Sequence, residues 1–140
     1  KSLYKLLNSS VNEDLNELTN AALSGNKEKT NKLLSETIIQ DDKSLFFLNI
    51  INHRLNRLSD LINLGIKSNI DQALKSIKPP IFWKDKNNFI EQSKKLNKNK
   101  INKILKQTYN LEFKIKSSSS YNNQVLMKKL LIDVCELATF

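Results

Sequence analysis

The chain has little of what fixes a fold covalently or builds a reactive centre. Its 140 residues include one cysteine, one histidine, one tryptophan, two glycines and two prolines. The lone Cys135 excludes an internal disulfide and a cysteine-based metal site; it suits a reducing compartment and reads as a small buried residue on the last helix. His53 has no second histidine with which to share a metal and reads as a surface or partly buried helix residue beside Arg54. Two isolated glycines cannot build a phosphate-cradling loop, which needs several closely approaching backbone amides. The serines are numerous, yet none is paired with a recognisable base. Glu13/Asp14 and Asp41/Asp42 are expected at helix starts, where the dipole favours negative charge, rather than in acid–base work. No apolar run approaches the ~18 residues of a membrane span, and the start does not resemble a signal peptide. No catalytic, metal-binding or cofactor-binding residue is therefore expected.

What the chain does have is positive charge, +9 at neutral pH. A basic surface attracts phosphates, which invites a nucleic-acid reading. Of the 23 basic residues only Arg54 and Arg57 are arginine, leaving 21 lysines. Planar recognition of phosphate or guanine favours arginine. Lysine and asparagine are abundant along the whole chain, as an AT-rich coding sequence would produce, so generic charge bias is the simpler account. The length suits one domain able to bury roughly 70% of its unfolded surface. The sole methionine is Met127, which predicts a domain from a longer protein extending at least on the N-terminal side.

Helical periodicity runs through the chain. Leu15, Leu18, Ala22 and Leu23 mark a helix over 13–23, with Gly25 as a left-handed stop and Asn26 as the cap of a second helix bearing Leu33, Leu34 and Ile38. Asp41 and Asp42 open the longest helix, on which Leu45, Leu48, Ile51, Leu55, Leu58 and Ile62 recur up to Gly65. Asn69 caps a short helix over 70–77. Pro79 and Pro80 then impose a rigid break, because proline lacks a donor and drives its predecessor out of the helical region. A helix over 85–96 presents Phe89, Ile90 and Leu96. From Asn97, a longer one presents Ile101, Ile104, Leu105, Thr108, Leu111, Glu112 and Ile115, with its lysines mostly opposite. Residues 117–120 form a polar serine turn, and the last helix, 122–138, turns Val125, Leu126, Leu130, Val134 and Leu137 inward. The expected fold is all-α: a single-domain bundle of about six to seven helices.

Two aromatics bear on binding. Trp83, between Lys78 and Lys84/Lys86, has the makings of a base-stacking platform with lysines for the flanking phosphates. The competing reading is that Ile81, Phe82 and Trp83 plug the hinge between two helix groups. Tyr121 follows the serine turn, where its ring is either exposed or a hydrophobic staple for the last helix.

The order of four segments resembles a known family. They are Ala22-Leu23-Ser24-Gly25-Asn26 in a helical hairpin, Ile51-Asn52-His53-Arg54-Leu55-Asn56-Arg57-Leu58 on the long helix, Lys78-Pro79-Pro80-Ile81-Phe82-Trp83-Lys84, and Glu112-Phe113-Lys114-Ile115-Lys116 before a polar loop. Together they are similar to the C-terminal collar domain of the delta subunit of the bacterial DNA polymerase III clamp loader, over about residues 12–138. The resemblance implies a helical oligomerisation domain over 11–140, with 1–10 as the tail of a preceding domain or a linker. It implies no enzyme activity in this domain, although the holoenzyme it would serve is a nucleotidyltransferase complex.

The implied partners are the gamma/tau and delta-prime subunits through the collar, and the sliding clamp through the N-terminal domain. Primer-template DNA is a further candidate, with Trp83, Lys84, Lys86 and Tyr121 as the candidate contacts. The four serines of the polar loop depart from the family pattern and leave the register of Tyr121 open by about two residues. Glu112 and Lys116 are spaced for an i,i+4 ion pair. The resemblance places the protein in the bacterial cytoplasm, without cofactor or membrane association. The alternative from the residues alone is an independent lysine-rich helical nucleic-acid-binding module.

Overall fold

The computed structural model describes residues 2–67, 69–117 and 122–139, with side chains from residue 13 onward except those of 41 and 67. Among them the fold is all-helical: α1 (Ser2–Leu23), α2 (Lys27–Glu36), α3 (Ser44–Lys67), α4 (Ile70–Ser76), α5 (Lys86–Lys95), α6 (Lys98–Ser117) and α7 (Asn123–Thr139). Short 3₁₀ turns at Asp41–Lys43 and Trp83–Asp85 lead into α3 and α5. No described helix is long and apolar enough to cross a membrane.

α3 is the spine, in contact with α1, α4, α5, α6 and α7. Phe47, Leu48, Ile51, Leu55, Leu58 and Leu61 are buried along it, steps of three and four that keep one stripe facing the core. Leu45 and Ile62 lie half-buried at its ends. α7 packs against α1, α2 and α6 and is wrapped on most sides. Its buried set is Met127, Leu130, Leu131, Val134, Cys135 and Ala138.

The helix ends follow local chemistry. Asn26 accepts from the Lys29 amide at 3.1 Å, and Asn69 from the Gln72 amide at 2.8 Å, each satisfying a first-turn donor. Asn97 does the same for Lys100, at 2.8 Å. Gly25 ends α1 at φ 72°, with its own amide bonded back to Ala22 and that of Asn26 to Ala21. A Cβ at Gly25 would lie 3.1 Å from the carbonyl carbon and oxygen of Ala138, so the α1–α2 turn is seated directly on the α7 backbone. The Lys78–Pro79 peptide bond is cis, and the break ends on Ile81, which is buried.

Several expectations are corrected. α1 runs unbroken from Ser2, so Glu13 and Asp14 sit in mid-helix, where they cap nothing. Gly65 does not stop α3; it is helical, with two more residues after it. α2 ends at Glu36, leaving Ile38 outside the helix and exposed while Ile39 takes the buried place. Val125 is exposed, because the inward stripe of α7 is centred on Met127, Leu131 and Val134.

Candidate functional site

The polar heart of the molecule lies where α1, α3 and α5 meet. Arg54, projecting from α3, directs Nη2 to Asp85 Oδ2 at 3.2 Å and Nη1 to Gln92 Oε1 at 3.3 Å. Its guanidinium carbon stands 4.2 Å from the centre of the Phe89 ring, a cation–π contact. Gln92, fully buried, donates onward from Nε2 to Asn20 Oδ1 (3.1 Å) and Ser24 Oγ (3.3 Å) at the end of α1. Lys95 closes the cluster by donating to the Ser24 carbonyl, and Asn88 steadies the second oxygen of Asp85 at 3.3 Å. Burial pushes the Arg54 guanidinium below its ordinary pKa and Arg57 adds to that, while the charge and hydrogen bond of Asp85 oppose it.

This node ties together distant parts of the sequence. Ser24 belongs to the turn after α1, Arg54 to the middle of α3, and Asp85 follows directly on the Lys78–Lys84 segment. The sequence marked Arg54 but not its partners. Gln92 carried one available signal: it stands three residues after Phe89 and four before Leu96, a polar residue on an apolar stripe. Such a residue must find partners for both its donor and its acceptor.

Beside the node runs a groove of about 410 Å³ between α1, α3 and the segment Ile81–Phe89. Phe46, Ile50, Ile81 and Phe82 supply apolar walls, and both Arg54 and Arg57 line it. Nη1 of Arg57 is buried without a hydrogen-bond partner. A buried donor left unmade costs about 1–3 kcal/mol, so the arginine is incompletely matched within the chain itself. A larger hollow of about 520 Å³ between α6 and α7 mixes Lys100, Lys103 and Lys106 with Asp133 and Glu136 and is widely open to solvent.

The candidate DNA contacts fall on the hinge surface. Ile81 alone plugs the break; Phe82 is 60% and Trp83 69% exposed, which corrects the expectation that all three fill the hinge. Ile81 ends the extended segment before the 3₁₀ turn, while Phe82 stands at the turn's N-cap and Trp83 opens it, both outside the packed layer. Phe82 and Trp83 lie ring to ring at 5.9 Å, tilted by 49°, and Lys84 Nζ sits 5.4 Å from the indole centre. Lys86 is exposed at the start of α5. Trp83 and Lys84 are thus adjacent, with Lys86 following, while Tyr121 lies outside the described residues. His53 is exposed on α3, and the Glu112–Lys116 pair forms at 3.1 Å on α6. Among the described residues no three His, Cys, Asp or Glu side chains gather as a metal site.

No protein-family model, no curated protein and no solved structure matches the chain.

Proposed function

We propose that this chain is a non-catalytic assembly domain, the helical collar of the delta subunit of a bacterial DNA polymerase III clamp loader. In that role it holds its subunit in a ring with the gamma or tau subunits and delta-prime during replication in the cytoplasm. The sliding clamp would be engaged by a domain on the N-terminal side. The observation that carries the reading is the node: segments around Ser24, Arg54 and Lys84–Asp85, which bear the resemblance in sequence, lie together around Gln92. An all-helical fold centred on one long helix is what such a domain requires.

The paired rings of Phe82 and Trp83 beside Lys84 support a DNA contact on the same surface. They equally favour the second reading, an independent lysine-rich nucleic-acid-binding module, because exposed aromatics flanked by cations suit single-stranded bases. Salt separates the two. Association of this chain with the gamma/tau subunit of the same organism, assayed by pull-down at low and raised salt, is expected to persist if helix faces make the contact. Absence of association, together with primer-template binding that weakens steeply with salt, would reject the collar reading in favour of the module.

A further inference from the structure

The two arginines of this chain are its least expected basic residues. A compositional bias that supplies 21 lysines accounts for neither, yet both stand on α3 three residues apart and line the same groove. Among the described residues no lysine lines it, and its carboxylate is Asp85. Asp85 is engaged by Arg54, and none of the ion pairs among the described residues includes Arg57.

We propose that the groove between α1, α3 and Ile81–Phe89 is a docking site for a protein segment bearing one acidic side chain between large apolar residues, with Arg57 receiving the carboxylate. Three features select this occupant. The charge left over after the Arg54–Asp85 pair is a single guanidinium whose planar fork matches a carboxylate. Nη1 of Arg57 has no acceptor, which an incoming carboxylate would supply as the guanidinium turns towards the groove. The rim residues Phe46 and Phe82 are 43% and 60% exposed, offering apolar surface that flanking side chains of a peptide would cover and a free small anion would not. A nucleic-acid strand presents charge at every nucleotide and calls for a track of cations, whereas among the described residues this groove is mostly apolar and Arg57 is the guanidinium outside any ion pair. The site stands independently of any collar role.

The test is selection of random dodecapeptides on the immobilised chain, followed by fluorescence anisotropy with the recovered peptides. The expected peptides share one Asp or Glu flanked by aromatic or aliphatic residues. Exchanging that residue for its amide should weaken binding at least tenfold, about 1.4 kcal/mol. Arg57→Lys keeps the charge but not the fork and should cost a similar factor. Phe46→Glu alters an exposed rim position, so its melting temperature should stay unchanged while acidic peptides are repelled. Recovery of no peptide, recovery of peptides without a shared acidic residue, or undiminished binding to Arg57→Lys would each overturn the proposal. Competition by oligothymidylate with the effect centred on Arg57 would overturn it in favour of a nucleic-acid groove. Salt-resistant pull-down of gamma/tau by the Arg57→Lys chain would keep the collar reading whatever the peptide result.

Discussion

Replacing Arg54 with alanine removes three interactions at once, and their environments set the expected loss. The ion pair with Asp85 spans 3.2 Å, with side-chain exposures of 11% and 34%. Asp85 can rehydrate when its partner is lost, so that pair is counted at about 1 kcal/mol rather than at the value of a fully buried one. The contact over Phe89 adds about 0.5–1 kcal/mol. Gln92 Oε1 is then left without its donor in a buried setting, at about 1–3 kcal/mol. Release of a guanidinium that burial had stripped of water offsets part of this. The net expectation is a loss of about 2–3 kcal/mol. In urea denaturation followed by far-ultraviolet circular dichroism, the midpoint should fall by roughly 1 M or more, given slopes of about 1–3 kcal/mol/M. Arg54→Lys should recover no more than about half the loss, because one ammonium does not reproduce the fork that reaches both Asp85 and Gln92. A loss under about 1 kcal/mol, or a lysine variant equal to the parent, would refute the view that this node joins the helices.

Gly25→Ala combines a left-handed backbone, costing about 1–2 kcal/mol, with a Cβ pressed on the Ala138 carbonyl group; a drop of about 6 °C or more in the thermal midpoint is expected. Leu55→Ala empties the middle of the α3 stripe and should cost about 2–5 kcal/mol in the same urea titration, with the slope retained if the bundle stays two-state. Trp83→Ala should leave stability within about 0.5 kcal/mol, since its ring is exposed, and should weaken primer-template binding in a gel-shift titration if that surface meets DNA. Unchanged DNA affinity would remove Trp83 from the candidate contacts.

The spine and the caps were legible because each has a local signature. Leu48, Ile51, Leu55 and Leu58 repeat at helical steps, and Asn26, Asn69 and Gly25 act through bonds within a few residues. The extent of α1 was missed because an acidic pair resembles a helix start equally well when it lies on a solvated face. On α7, Leu130 and Val134 are buried and Leu126 and Leu137 half-buried as the spacing predicts, and Val125 alone was misplaced. At the site, Arg54 was visible only as one member of a spaced motif. Its partners Asp85 and Gln92 lie 31 and 38 residues away, and nothing local announces a hydrogen bond across that span. Phe82 and Trp83 stand exposed at the start of a 3₁₀ turn whose sequence, Trp-Lys-Asp, carries no strong turn signal.

The packing of α7 against α1 and α2 also sets an order of events during synthesis. α7 is the last of the described helices to be made, yet it covers the faces of the first two. Until it arrives, Leu18, Ala22 and Leu23 lack part of their native cover, and the turn at Gly25 lacks the backbone on which it rests. The early helices must therefore wait, partly exposed, while the chain between Glu36 at the end of α2 and Asn123 at the start of α7 is made. Completion of the fold is consequently a late and cooperative step, in which the arrival of one helix converts a loose set of amphipathic segments into a closed bundle.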